Sequence, residues 1–317
     1  MNKVFITDYV SDPCIEHEIL GKELSSKPSK DIEVLLVWHQ RIDKHYLDQF
    51  PKLKGVIRYG VGFDNIDIQE IESRGIFFCN TPDYGTDEVS DTALAMMLGF
   101  LRGIFAYDIF SKNYFDSWQE NTIPDLRRLS ELTLGVLGAG RIGTALMRKA
   151  KALGMNIIFY DPYKDSGYEK AIGVNRCYNR EEFLSNCDIV SIHTPLTNET
   201  KFMVDENFVS SMKKGSILIN TSRGEVIQDL DVLYKALKEG QLSAVGLDVL
   251  PSEPPKKCNL INAWRCGDKN LAHKVIINPH TSYYSQDSYI EMRTLAAKNA
   301  WRILKNIKPI NIITSQK

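Results

Sequence analysis

An α/β fold built on doubly wound parallel sheets is predicted by three observations. Short apolar runs of strand length alternate with helix-length segments along most of the chain. A glycine-rich turn sits between one such strand and one such helix. The 317 residues are enough for about two domains. Composition agrees, since 43% apolar and 25% charged residues mark a globular chain rather than a disordered one.

In chain order, residues 4–7, 32–38, 55–59 and 75–79 read as short buried strands, separated by helix-sized segments such as 16–24. That alternation gives βαβ units and a first parallel sheet. A long helix is predicted over about 87–110, capped by Thr86 or Asp87, with Asp87 and Glu88 at the positive end of its dipole. Its length suits a bridge between domains. Strands at 133–137, 156–160, 188–192, 216–220, 244–248 and 274–277 then alternate with helices to form a second doubly wound sheet. The helix over 228–240 carries Leu230, Leu233 and Leu237 on one face and ends in Gly240. A last helix covers about 285–305.

Charge and cysteine usage narrow the function. Lys and Arg total 39 against 40 Asp and Glu, a net charge of −1, which leaves no electrostatic footprint for nucleic acid or an anionic membrane. The longest strongly apolar, charge-free stretch, 92–101, falls well short of the roughly 20 residues of a spanning helix. The N-terminus reaches Asp8 before any signal-peptide core, so a cytoplasmic chain is expected. The six cysteines form no CxxC pair and match no zinc spacing, so reduced thiols and no metal are expected. Cys258 and Cys266, in one loop, are the pair for which a disulfide stays open.

The strand at 133–137 leads into Gly138-Ala139-Gly140-Arg141-Ile142-Gly143 and then a helix. This is GxGxxG in its required context, with Gly138 for the tight turn, Gly140 for approach of a pyrophosphate and Gly143 for helix–sheet packing. The pyrophosphate then lies on free N–H groups at the positive helix end. Asp161 stands 18 residues after Gly143, at the end of the next strand, where an acid accepts hydrogen bonds from the adenosine ribose. A carboxylate there repels a 2′-phosphate, so NAD is favoured over NADP, with Lys164 weakening the preference slightly.

The later strands of the second sheet should end at the cofactor crevice, and each end offers one residue suited to hydride chemistry on an oxo acid. His280, in Asn278-Pro279-His280, is a proton donor. Glu253 is a carboxylate that supports the protonated imidazole and holds its tautomer. Arg223, in Asn220-Thr221-Ser222-Arg223-Gly224, is a clamp for a carboxylate and polarises the carbonyl. Singly, such a histidine is more often structural and such an arginine or glutamate a surface charge. Their placement at successive strand ends downstream of a dinucleotide motif favours the chemical role. His193, in Ile192-His193-Thr194-Pro195-Leu196, also sits at a strand end and faces the cofactor edge.

On these residues, together with Gly60-Val61-Gly62-Phe63-Asp64-Asn65-Ile66-Asp67 and Gly246-Leu247-Asp248-Val249, nearly the whole chain resembles the D-isomer-specific 2-hydroxyacid dehydrogenases. The resemblance implies that Arg223, Glu253 and His280 are the catalytic trio. It implies that Asp248 holds the nicotinamide carboxamide side, while Arg141, Ile142, Asp161, His193, Pro195, Thr221 and Ser222 line the NAD site. Val61 and Gly62 would offer backbone N–H groups to the substrate carboxylate, and Tyr283 stands where a related branch carries a tryptophan beside the substrate. Two Rossmann-like domains are implied: a discontinuous substrate domain, 1–101 with 286–317, around an NAD-binding domain, 102–285. The active site is expected in the interdomain cleft, with hinges near 101–103 and 284–286. A homodimer joined through the NAD-binding domain, with an arm near 103–132, is also implied.

Arg58-Tyr59-Gly60-Val61-Gly62 and Tyr284-Ser285-Gln286 look nearest to the branch containing the C-terminal-binding proteins, NAD-binding corepressors that keep the dehydrogenase residues. Leu250 and a longer loop over 253–280 depart from the family pattern. The expected function is hydride transfer between NAD(H) and a 2-oxo or D-2-hydroxy acid, with Arg223 and the Val61 and Gly62 backbone clamping the acid. The alternative is an NAD-sensing interaction protein without turnover, which has no need of all three catalytic groups.

Overall fold

The computed structural model describes residues 2–112, 118, 120, 122–124, 126–268, 271 and 273–314. The chain divides into two units, Met1–Gly85 with Tyr284–Lys317 and Thr86–Tyr283.

In the first unit β1 (Val4–Ile6), α1 (Cys14–Leu20), β2 (Leu24–Ser25), β3 (Val34–Val37), α2 (Lys44–Leu47), β4 (Gly55–Arg58), α3 (Ile68–Ser73) and β5 (Phe77–Asn80) follow one another. The strands are parallel in the order β2-β1-β3-β4-β5, so the order reverses between β1 and β3. Val34, Leu35, Leu36 and Val37 are all buried, as a central strand covered on both faces requires. Asp43 and Asp67 start α2 and α3 by accepting from Tyr46 N and Glu70 N.

The second unit opens with α4 (Thr86–Leu101) and α5 (Ile104–Lys112). The single helix expected over 87–110 is therefore two, meeting at 55°. Gly103, at φ +63°, takes the left-handed conformation that stops the first. Ala93, Met96, Met97 and Phe100 of α4 share one core with Leu134, Val136 and Leu146. That packing puts α4 in the second unit, where the sequence had placed it at the end of the first. The chain crosses at 85/86 and 283/284, so the hinge expected at 101–103 falls inside a unit. Part of the arm expected at 103–132 lies outside the described residues.

There follow β6 (Thr133–Leu137), α6 (Arg141–Ala152), β7 (Asn156–Tyr160), α7 (Tyr168–Ile172), β8 (Asn175–Arg176), α8 (Arg180–Asn186), β9 (Ile189–Ile192), α9 (Glu206–Ser211), β10 (Ser216–Asn220), α10 (Leu230–Glu239), β11 (Leu242–Leu247), α11 (Asn259–Cys266) and β12 (Val275–Ile277). All pair in parallel, in the order β12-β11-β10-β9-β6-β7-β8, with the reversal between β6 and β9. Along β10 the side chains alternate between two cores, Leu218 facing Leu233 and Leu237 of α10, and Ile217 and Ile219 facing α4. Both sheets are thus the doubly wound α/β type expected.

Helix α11 lies in the segment expected to be loop. Cys258 precedes it and Cys266 closes it, so about 12 Å of helix separates the two, and all the cysteines are free. Finally α12 (Gln286–Leu304), started by a reciprocal Ser285–Ser288 capping box, completes the first unit. There Arg293 and Tyr59 both donate to the fully buried Glu16 carboxylate, at 2.9 and 2.8 Å to Oε1. Among the described residues no single helix is long and apolar enough to cross a membrane. Nor, among them, do three His, Cys, Asp or Glu side chains converge to hold a metal.

Candidate active site

The glycine-rich turn follows β6 at the strand-order reversal. Gly138 has φ +96°, and a Cβ there would stand 2.8 Å from the His193 carbonyl oxygen, at the end of β9. Gly140 precedes α6 and has open space where its Cβ would be, which leaves the backbone approachable. A Cβ on Gly143 would overlap the Gly138 carbonyl, so the first turn of α6 sits directly on the loop. Arg141 is exposed at the start of α6 and Ile142 half-buried.

Asp161, past the end of β7, accepts from Ala139 N at 2.8 Å and from Tyr163 N at 3.0 Å, so the acid ties the rim to the glycine loop. Lys164, the cation nearby in sequence, lies 4.7 Å over the Tyr168 ring. Burial pushes the His193 imidazole down to about 4, which keeps it neutral at neutral pH. Its Nε2 meets Ser191 Oγ at 2.8 Å. Three buried polar atoms at these strand ends, His193 Nδ1, Thr194 Oγ1 and Thr221 Oγ1, have no hydrogen-bond partner among the described residues. Buried groups of this kind are normally satisfied, so their orphaning marks a place for a polar ligand. Pro195 accepts from Thr200 Oγ1 through its carbonyl, which fixes the turn beyond His193.

The next three strands deliver Arg223, Glu253 and His280. Asn220, the last residue of β10, cages the turn: its Oδ1 accepts from Ser222 N and Oγ, and its Nδ2 donates to the Arg223 carbonyl at 2.9 Å. A Cβ on Gly224 would overlap the Leu250 carbonyl, so the Arg223 turn abuts the loop after β11. In that loop Glu253 Oε1 accepts from Leu250 N at 2.9 Å, and Oε2 meets His280 Nδ1 at 2.7 Å. Burial works to raise the Glu253 carboxyl. The His280 hydrogen bond, the Leu250 N–H and the charges of His280 and Arg223 outweigh it and hold the carboxyl below its ordinary value.

His280 sits at φ +58°, an uncommon conformation for a residue with a side chain. Its N–H donates to the Asp248 carbonyl, and the Asp248 Oδ1 accepts from Thr281 N and Ser282 N at 3.0 and 3.1 Å. Asp248 is buried, which raises its carboxyl against the opposing hydrogen bonds from Ser282 and Thr281 and the His280 charge. Its carboxylate is therefore engaged with the turn that carries His280. The resemblance pointed it toward a nicotinamide carboxamide and gave no hint of this second task. Tyr283 follows that turn, half-buried.

Val61 and Gly62 belong to the first unit, after β4. Asn80 Nδ2 donates to the Val61 carbonyl at 2.7 Å and Gly60 N to Thr81 Oγ1 at 2.7 Å, which fixes the backbone around both.

Residues 94–282 match the family model described as D-isomer specific 2-hydroxyacid dehydrogenase, NAD binding domain. The chain belongs to that family. It is 38% identical over 331 residues to a glyoxylate reductase of Thermococcus litoralis, covering 98% of this chain and 96% of that one. A D-3-phosphoglycerate dehydrogenase of Methanocaldococcus jannaschii is 31% identical over 99% of this chain, which spans 59% of that protein. Among solved structures, the D-lactate dehydrogenase from Aquifex aeolicus complexed with NAD and lactic acid superposes with a TM-score of 0.80 at 30% identity, over 96% of this chain and 95% of that one. These matches show the family as a whole rather than the C-terminal-binding-protein branch within it.

As a member of the 2-hydroxyacid dehydrogenase family, the protein is an NAD-dependent oxidoreductase of 2-oxo and 2-hydroxy acids. The residues present fit the cofactor: a glycine loop that packs tightly at Gly138 and Gly143 and lies open at Gly140, an acid at the rim and orphaned polar atoms at the strand ends beyond it. Thr194 and Ser191 were not singled out from sequence. Their one signal was membership of the strand-end segment that holds His193.

Proposed function

We propose that the protein reduces a 2-oxo acid to a D-2-hydroxy acid with Arg223, Glu253 and His280 as its catalytic residues, and that glyoxylate falls within its substrate range. The observation that carries the reading is the 2.7 Å contact of His280 Nδ1 with Glu253 Oε2. With Nδ1 occupied, Nε2 is the nitrogen left to give a proton. Bound NADH would supply a hydride to the carbonyl carbon. His280 protonates the carbonyl oxygen, Glu253 holds the imidazole in place and in its tautomer through Nδ1, and Arg223 grips the substrate carboxylate and polarises the carbonyl. The Val61 and Gly62 N–H groups are proposed to hold the same carboxylate, with Tyr283 beside the substrate. Glyoxylate rests on the Thermococcus litoralis relative. Three catalytic groups kept at successive strand ends favour turnover over a purely cofactor-sensing protein. A cytoplasmic homodimer joined through the second unit is part of the same proposal.

The pairing sets the pH behaviour. A carboxyl held below its ordinary value contributes stabilisation that is complete above the unfolded carboxylate's value and is lost as pH falls through the folded one. Above that window Glu253 is charged and supports the imidazolium. Glu253→Gln removes the charge and keeps the shape, so 2-oxo acid reduction is expected to fade at a lower pH than in the wild type. The profile of kcat/KM against pH checks this, and an unchanged profile rejects the role given to Glu253.

Gly224→Ala tests the turn instead of the acid. Its methyl meets the Leu250 carbonyl, so the Arg223 turn and the Glu253 loop must part. A displacement of about 1 Å is worth up to about 10²-fold in rate. Turnover is expected to fall toward that limit while NADH binding, followed by fluorescence, persists. Wild-type turnover would show that the abutment does not position Arg223.

A further inference from the structure

β5 lies at the edge of the first unit's sheet, and such an edge presents unpaired N–H and C=O groups that native sheets protect. Here the chain covers it with the segment that follows α12. The backbone turns through Asn306 at φ +57° and Asn311 at φ +58°, a conformation that asparagine tolerates. Ile312 then bridges antiparallel to Cys79. Ile313 N donates to the Phe78 carbonyl at 2.9 Å, and Asn80 N donates to the Asn311 carbonyl at 3.4 Å. Asn299, buried on α12, clasps the segment at Ile310: its Nδ2 donates to the Ile310 carbonyl and its Oδ1 accepts from Ile310 N, both at 2.9 Å.

The same strand end also holds the turn after β4. Asn80 stands opposite Arg58 in the parallel register, and its Nδ2 donates to the Val61 carbonyl at 2.7 Å. Thr81 follows and is fully buried. Its Oγ1 accepts from Gly60 N at 2.7 Å and donates to the Arg58 carbonyl at 3.3 Å, while its N–H donates to the Gly60 carbonyl at 3.2 Å. Gly60 sits at φ +125°, a shape open to glycine, and these bonds keep the turn in it. Asn80 thus joins two elements: its main chain binds Asn311 and its side chain binds Val61, the neighbour of Gly62.

We propose that the 310–313 segment is a positioning element for substrate binding. By fixing the end of β5 it sets, through Asn80 and Thr81, the Val61 and Gly62 N–H groups, and with them the affinity for the 2-oxo acid. This rests on the reading that those two N–H groups hold the substrate carboxylate. A contact that serves substrate and transition state equally moves KM and leaves kcat, which distinguishes this role from the chemistry of Arg223 and His280.

The test measures KM and kcat for glyoxylate and pyruvate with NADH, and NADH affinity by fluorescence, in the full chain. The variants are Ile313→Pro, Ile313→Val, Asn299→Ala and Thr81→Val. Proline removes the N–H that the Phe78 carbonyl receives, and valine keeps it. Asn299→Ala frees the segment at Ile310 and carries the test where Ile313→Pro does not fold. Ile313→Pro and Asn299→Ala are expected to raise KM about threefold to tenfold, within the worth of a hydrogen bond to a charged group. Their kcat and NADH affinity are expected to stay, and Ile313→Val to match the wild type. An unmoved KM with a lowered unfolding midpoint gives the segment a structural role alone and overturns the proposal. Thr81→Val leaves the Gly60 N–H without its acceptor and shows which reading has failed. If its KM rises and theirs does not, the carboxylate assignment stands and the proposal falls. If its KM also stays, the assignment to Val61 and Gly62 falls with the proposal. No turnover of either acid by a wild type that binds NADH overturns the reductase reading, and the proposal with it.

Discussion

Alanine in place of His280 is expected to cut the turnover of 2-oxo acid reduction by about 10²-fold or more, the usual worth of a positioned acid. The backbone that carries the imidazole is fixed by Asp248: the His280 main-chain N–H binds the Asp248 carbonyl and the next two main-chain N–H groups bind the Asp248 carboxylate. This frame sets φ at +58°, and alanine fits such a conformation poorly. His280→Asn separates strain from chemistry, because asparagine tolerates the left-handed region and carries no acid able to charge near neutrality. Both variants should lose turnover, and His280→Asn should retain NADH binding by fluorescence titration. Wild-type turnover in His280→Asn would remove His280 from the mechanism.

The largest stability effect is expected from Arg293. Arg293 is 4% exposed and its partner Glu16 fully buried, with Tyr59 and the Asp12 carbonyl completing the network. Burial opposes the Arg293 charge, but the hydrogen bonds and charge of Glu16 outweigh it and raise the guanidinium further. Arg293→Ala strands a carboxylate away from water, which costs about 3–5 kcal/mol. Urea unfolding followed through Trp38, whose ring lies 5.5 Å from Tyr59, reports on the unit concerned. The double replacement Glu16→Leu with Arg293→Met removes both charges and should restore much of the loss. A loss below about 1 kcal/mol in Arg293→Ala is what an exposed pair would give and would contradict the burial described here.

Legibility in the sequence followed length and locality. The strands β6, β7 and β10 appear with the bounds that their sequences indicate, because a five-residue, mostly apolar run leaves a clear signal, and in β10 all five residues are buried. Two-residue strands such as β2 and β8 leave none, and both went unread. Helix α11 was hidden by the proline- and lysine-rich segment before it, which reads as loop. The break at Gly103 was masked by apolar residues on both sides that continue a helical pattern. In the site, residues at strand ends were found because a parallel sheet brings its carboxyl ends to one edge. What joins those ends was not legible. The Asp248 carboxylate reaches amides 33 and 34 positions away, and Gly224 meets a carbonyl 26 positions away, contacts that no local pattern encodes.

The glycine loop carries a consequence for how this enzyme's lineage can drift. A methyl group on Gly138 or Gly143 would collide with main-chain atoms, which cannot move aside as a side chain does. Those two sites are closed to any side chain. The rim beyond Asp161, whose own carboxylate is tied to the loop at Ala139 N, is under less restriction, since Tyr163 there is 76% exposed. Any shift in which pyridine nucleotide is accepted must therefore be written at the rim, one surface residue at a time, while the turn beneath it stays as it is.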